Sequence, residues 1–96
     1  MIGGFKDDTT RDIFDGTNSK AARRIPKELW EAAHRKLDML NAAHALKDLA
    51  SPPGNRLEAL KREHQGFHSI RINDRYRIIF KFTNGQASEV RVTDYH

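Results

Sequence analysis

The sequence predicts an α+β fold in which two or three helices cover one face of a mainly antiparallel sheet. Three stretches carry that prediction. Residues 67–82, FHSIRINDRYRIIFKF, alternate apolar and polar side chains in two runs around a polar turn, the pattern of a β-hairpin. Residues 26–41 place Trp30, Ala33, Leu37 and Leu40 at helical spacing. Asn84-Gly85 is a strong turn signal and opens a second hairpin with residues 86–93.

In chain order, residues 1–6 form a short strand with Ile2 and Phe5 as its apolar side chains. Thr9 and Asp12 resemble a capping box, so residues 9–15 form a short helix that Gly16 closes. Residues 15–24 are a basic connector with Lys20, Arg23 and Arg24 clustered. Pro26 suits a first helical turn. The helix over 26–41 keeps Lys27, Glu28, Glu31, Arg35, Lys36 and Asp38 on its wet side. Trp30 reads as a core or partner contact. A second short helix covers 43–49, and Ser51-Pro52-Pro53-Gly54 ends it. Residues 56–61 form a strand, and residues 62–66 a polar turn. The meander then follows, giving four or five strands.

Loop lengths decide which side chains meet. A three-residue loop over 73–75 pairs Ile72 with Tyr76 and Arg71 with Arg77. A two-residue loop would mix the apolar and cationic faces, because a one-residue slip turns every side chain over. The odd loop therefore places two like charges side by side, which costs a few tenths of a kcal/mol, roughly, or more. By the same parity, a three-residue loop over 83–85 pairs Ile78 with Val90 and Tyr76 with Val92. Arg91, Thr93 and Tyr95 then share the face of Arg77. That face is expected to be bare of helices and to carry Arg71, Arg77, Lys81, Arg91 and the residues up to His96.

The chain has 96 residues, enough for a single domain over 1–96 with a thin core. It has no cysteine, which excludes a disulfide framework and thiol chemistry. Lys and Arg number 17 against 13 Asp and Glu, a net charge of +4 that favours polyanionic partners. Residues 1–8 lack an apolar h-region, and no apolar run is long enough to span a bilayer. A cytoplasmic protein without a membrane partner is expected. His34 and His44 are ten apart, and Gly66 separates His64 from His68, so neither pair has ligand geometry. No metal and no other cofactor is expected.

The candidate chemistry lies on the arginine face. Two guanidiniums can clamp a phosphate and compensate the charge of a phosphorane-like transition state. His96 supplies an imidazole that titrates near cellular pH. Glu58 can act as general base and Lys61 as a phosphate contact. Asp94 and Tyr95 adjoin His96, and Tyr95 can orient or stack on the scissile nucleotide. These are the parts of a metal-free ribonuclease in which the ribose 2′-OH attacks phosphorus. The competing reading is a solvated basic strand with a frayed terminal histidine.

The run SPPGNRLEALKREHQGFHSIRINDRYRIIFKF, with the terminal VTDYH, resembles the HigB toxins of bacterial toxin–antitoxin pairs, within the RelE/ParE superfamily. The opening MIGGFKD and Leu37-Asp38-Met39-Leu40 fit as well. The resemblance implies a RelE-like fold and a toxin that enters the ribosome and cleaves mRNA in the A site. Its implied partners are the ribosome, with its RNA and bound mRNA, and a HigA-like helix-turn-helix antitoxin through which operator DNA is bound. It assigns Arg71 and Arg77 to the phosphate, Lys61 to RNA or catalysis, and Asp94, Tyr95 and His96 to the site. Some relatives have histidine where Glu58 stands, so the base is Glu58 or His96. Tyr76 replaces the tryptophan of the usual Trp-Arg pair. Arg75, Arg91, Lys81, Arg23 and Arg24 are candidate RNA contacts, and Arg35 and Lys36 further ones. Two other functions fit the same chain: a ParE-like gyrase inhibitor and a nonenzymatic nucleic-acid-binding module.

Overall fold

The computed structural model describes residues 1–94. The sheet is a four-stranded antiparallel meander in sequence order: β1 (Glu58–Ala59), β2 (His68–Arg71), β3 (Tyr76–Thr83) and β4 (Gln86–Asp94). Residues 1–6 lie along the free edge of β4, parallel to it, through single bridges from Ile2 to Ala87 and from Phe5 to Val90. Backbone bonds of 2.7 Å from Gly3 N to Ala87 O and 2.8 Å from Lys6 N to Val90 O hold them there. The expected N-terminal strand is thus a pair of bridges. A side chain at Gly3 would stand 3.1 Å from the Gln86 amide oxygen, the end of an exposed side chain that can move aside.

Helix α1 (Asp8–Asp15) is capped by Asp7, whose carboxylate accepts from Thr10 N at 2.9 Å. The cap expected at Thr9 is wrong because Thr9 is buried and donates its hydroxyl to Ala21 O. Gly16, at φ 78°, closes the helix as expected. Thr10 Oγ1 accepts from Val92 N at 2.8 Å and ties α1 to β4. Pro26 precedes a 3₁₀ turn, Lys27–Leu29, which runs into α2 (Trp30–Ala42). Ala33, Leu37 and Leu40 are its buried face. Trp30 is half-buried and donates Nε1–H to Ile25 O at 2.9 Å. The helix expected over 43–49 is a 3₁₀ segment, Leu46–Ala50. Asp48 starts it by accepting from His44 N and Ala45 N, both at 3.0 Å.

The core lies between the helices and one face of the sheet. Ile70, Ile78, Phe80, Val90 and Val92 meet Ile13, Ile25, Leu37, Leu40 and Leu49. Burying such side chains stabilises the fold by roughly 1.5–3 kcal/mol each.

Three expectations about the sheet need correction. The strand over 56–61 is only two residues long, because Arg56 sits at φ 46°, outside strand conformation. The second hairpin has a two-residue loop, Asn84-Gly85, with φ values of 52° and 78°, and it pairs Thr83 with Gln86. The apolar parity survives through a bulge. Between the Lys81–Ser88 and Ile79–Arg91 pairs, β4 carries an extra residue at Glu89, where φ is 49°. Ile78 therefore pairs with Val92 and Tyr76 with Asp94, two residues beyond the expected register. Third, the second face of the sheet is not bare throughout. Ile79 is 2% exposed and Leu60 6%, so the polar turn expected over 62–66, with its 3₁₀ segment Arg62–His64, stands above a covered patch of the sheet.

Candidate active site

The β2–β3 hairpin has the expected register. Arg71 faces Arg77 directly, and Ile72 N donates to Tyr76 O at 2.9 Å. Asn73 closes the loop, its side-chain oxygen accepting from Arg75 N at 2.9 Å and Tyr76 N at 2.7 Å. Parity then sends both arginines away from Ile70, Ile78 and Phe80 to the second face of the sheet.

Arg77 is the most constrained cation on that face. Its side chain is 14% exposed. Nη1 donates to Ser69 Oγ at 3.0 Å, and Nη2 donates to Arg56 O at 3.5 Å. Ser69 is fully buried, so the acceptor is itself fixed. Glu58 Oε2 stands 3.9 Å from Arg77 Nη2. Arg71 is more open and is paired with Asp74 from the loop. Arg56, Arg71, Arg77, Asn73 and Asp74 line one polar cavity of about 270 Å³. Glu58 and Lys61 line the adjoining recess with Ala59, Leu60 and Arg62.

Not all candidate residues gather there. Lys81 lies 5.0 Å from the centre of the Phe67 ring and binds Glu89 at 3.2 Å. Arg91 lies across from Ile79, in a separate recess with Phe67 and His64. The covered patch at Ile79 separates both from the Arg71–Arg77 cavity, which sequence parity alone did not show. Arg75 binds Asp94 at 2.7 Å, which holds the Arg75 guanidinium even more firmly protonated than usual. Arg23 and Arg24 belong to the helix layer, on a 3₁₀ turn, with Arg23 bonded to Asn18 at 3.0 Å. Tyr95 and His96 lie outside the described residues.

Sequence reasoning missed two members of this region, Arg56 and Asn55, and read a third, Lys36, only as an exposed RNA contact. Arg56 was read as an ordinary strand residue, yet its backbone is left-handed, its carbonyl accepts from Arg77, and it lines the cavity. Asn55 is fully buried. Lys36 donates to the Asn55 side-chain oxygen. Partial burial, and then the charges of Arg35 and Arg71, hold the Lys36 ammonium below the ordinary lysine pKa. The signal for Asn55 was the Pro-Pro-Gly-Asn-Arg run, but it reads equally well as a plain turn.

The family model for RelE-like HigB toxins of type II toxin–antitoxin systems matches residues 3–96. The chain belongs to the HigB-like toxin family. Over 83 residues, 86% of this chain and 85% of the relative, it is 42% identical to Toxin HigB-1 of Vibrio cholerae serotype O1. An uncharacterized protein of Haemophilus influenzae is 40% identical over 67 residues, which is 70% of this chain and 66% of that one. In structure, this HigB-like toxin matches a chain of the YoeB–YefM complex from Staphylococcus aureus at a TM-score of 0.63. The match covers 100% of this chain and 98% of that chain at 16% identity. A chain of a heterotetrameric YoeB–YefM toxin–antitoxin complex from the same species matches at the same TM-score of 0.63. At that identity the likeness shows the fold, which is the RelE-like α+β arrangement expected from the sequence. No helix among the described residues of this HigB-like toxin is long and apolar enough to cross a membrane.

Proposed function

We propose that this toxin is a ribosome-dependent mRNA endonuclease that cuts in the A site by metal-free attack of the ribose 2′-OH. The observation that carries the reading is Arg77, nearly buried, fixed by Ser69 and Arg56, and facing Arg71 across a polar cavity. A guanidinium held in place before substrate arrives stabilises developing phosphorane charge without reorganising. In the reaction, the 2′-oxygen forms a bond to phosphorus as a base removes its proton. The bond from phosphorus to the 5′-oxygen breaks, and that oxygen takes a proton. Glu58, 3.9 Å from Arg77, is one proposed base for the first transfer. His96 is the other candidate, and Asp94, Tyr95 and Lys61 complete the proposed set. Lys81, Arg91, Arg75, Arg23 and Arg24 are proposed as outlying contacts to RNA phosphates.

The chemistry available is thin, so the substrate must be held in an attack geometry from outside. Such preorganisation supplies roughly 7 kcal/mol or more of the barrier. A ribosome presenting a codon does this. Its location implies action in the cytoplasm, with a HigA-like antitoxin as the neutralising partner.

The test is induction of the toxin alone, followed by primer extension on a known transcript with and without translation. Cuts within codons, present only on translated message, are expected. Arg77→Ala should abolish the cuts and the growth arrest while ribosome affinity falls far less. Uncut messages with trapped gyrase and DNA damage would replace the nuclease reading with gyrase poisoning. Equal losses of affinity and toxicity would point to a nonenzymatic binder.

A further inference from the structure

Asn55 is a buried polar side chain that the proposed reaction does not use. Its amide nitrogen donates to Leu49 O at 3.1 Å and to Ser51 O at 3.3 Å, and its oxygen accepts from Lys36 Nζ. Its backbone N–H donates to Pro52 O at 2.9 Å. The next residue, Arg56, is left-handed at φ 46° and ψ 55°, and its N–H donates to Pro53 O at 3.1 Å. A non-glycine residue holds that conformation only where its surroundings impose it. The Arg56 carbonyl then receives Arg77 Nη2 at 3.5 Å, and Arg56 lines the cavity together with Arg71 and Arg77.

We infer that Asn55 is a positioning residue for the phosphate-binding guanidiniums. Locked at one end by Lys36 from α2, it sets the strained turn from which Arg56 orients Arg77 and supplies a third guanidinium to the same phosphate. The helix layer thereby controls a site on the opposite face of the sheet. Leu49 and Ser51 hold the amide from the other side, so the turn is fixed from two directions. The inference deepens the nuclease reading and rests on it for the identity of the phosphate, as the backbone of an RNA strand. The positioning itself is a property of the free protein.

Two readouts therefore test it separately. The first is hindered rotation of the Arg77 guanidinium, read by side-chain NMR on the full chain without ribosomes. The second is the cleavage rate constant at saturating ribosomes programmed with message. Lys36→Met removes the donor to Asn55 at a partly exposed position. It should free the Arg77 rotation and lower the rate constant about tenfold, with ribosome affinity changed less than about threefold, because a small misplacement of a reacting group is costly. Lys36→Gln keeps an N–H donor without the charge and should recover both. Asn55→Ala should act as Lys36→Met does, more severely. If Asn55→Ala fails to fold, the Lys36 pair decides. Arg56→Gly keeps the left-handed turn at no steric cost and deletes the guanidinium, so Arg77 should stay ordered while cleavage falls. Undisturbed Arg77 rotation in Lys36→Met would overturn the inference. So would equal losses in Lys36→Met and Lys36→Gln, which would reduce Lys36 to a charge. Were the wild-type toxin to cut no message, the nuclease reading would fall, and the Arg77 rotation would still decide the positioning.

Discussion

Glu58 and Arg77 stand 3.9 Å apart, and the pair has two chemical uses. In the proposed reaction the carboxylate takes the 2′-OH proton; otherwise it simply neutralises the guanidinium beside it. The two differ in what an isosteric amide does. For a general base, Glu58→Gln should lower single-turnover cleavage by about 10²-fold with ribosome binding unchanged. A loss under about threefold, measured in the same assay, would assign the base to His96. Serine at position 69 is explained by the same guanidinium. A buried hydroxyl needs a partner, and Arg77 Nη1 donates to this one.

At the scale of elements, the β3–β4 hairpin shows how a face is preserved when a loop is not the expected length. The tight Asn84-Gly85 turn would by itself send Arg91 into the core. The bulge at Glu89 adds one residue and reverses that. Gly85 sits at φ 78°, and an added Cβ would lie 3.4 Å from His44 O. Gly85→Ala should therefore cost about 1–2 kcal/mol, measurable as a lower denaturant midpoint with an unchanged slope. At Glu89, glycine should be tolerated better than valine, since only the β-branched residue fights the left-handed backbone. The β2–β3 register was legible because parity allows only one loop there without burying a charge. The β3–β4 register was not, because a three-residue loop and a two-residue loop with a bulge give the same alternation. The 3₁₀ segments left no periodic trace, being shorter than two helical turns. Lys36 and Asn55 are 19 residues apart, and nothing local announces their bond. Tyr95 and His96, candidate site residues in the sequence, fall outside the described structure.

For the whole molecule, a domain of this size holds about 5–10 kcal/mol of stability. Phe80 is fully buried at its centre. Phe80→Ala should cost about 3–5 kcal/mol, enough to leave much of the toxin unfolded, visible in denaturant melts and as lost toxicity without any change at the site. Stability should also fall in acid. Asp48 titrates below its ordinary 3.8 because the Ala45 and His44 amides bond its carboxylate, and Glu89 below 4.5 because Lys81 binds it. Their stabilisation is fully present above those ordinary values and is lost as pH drops through the lower folded ones, where the unfolded chain has already taken up protons. Both groups are exposed, so the effect is small; Asp48→Asn with Glu89→Gln should flatten the acid limb of melting temperature against pH. Lys36 gives a slope of the same sign at the alkaline end. Its folded form gives up a proton more readily, so this lysine alone makes stability rise with pH on approaching its ordinary 10.5.

Residues 1–6 and β4 sit shoulder to shoulder although most of the polypeptide separates them. A ribosome making this toxin releases the opening segment long before its neighbour exists. A product cut short before β4 has nothing for Ile2 and Phe5 to join, and β3 is left with an open edge. A chain terminated before β4 should therefore be unfolded at this edge and without toxicity, with growth arrest expected only once synthesis has run through Asp94.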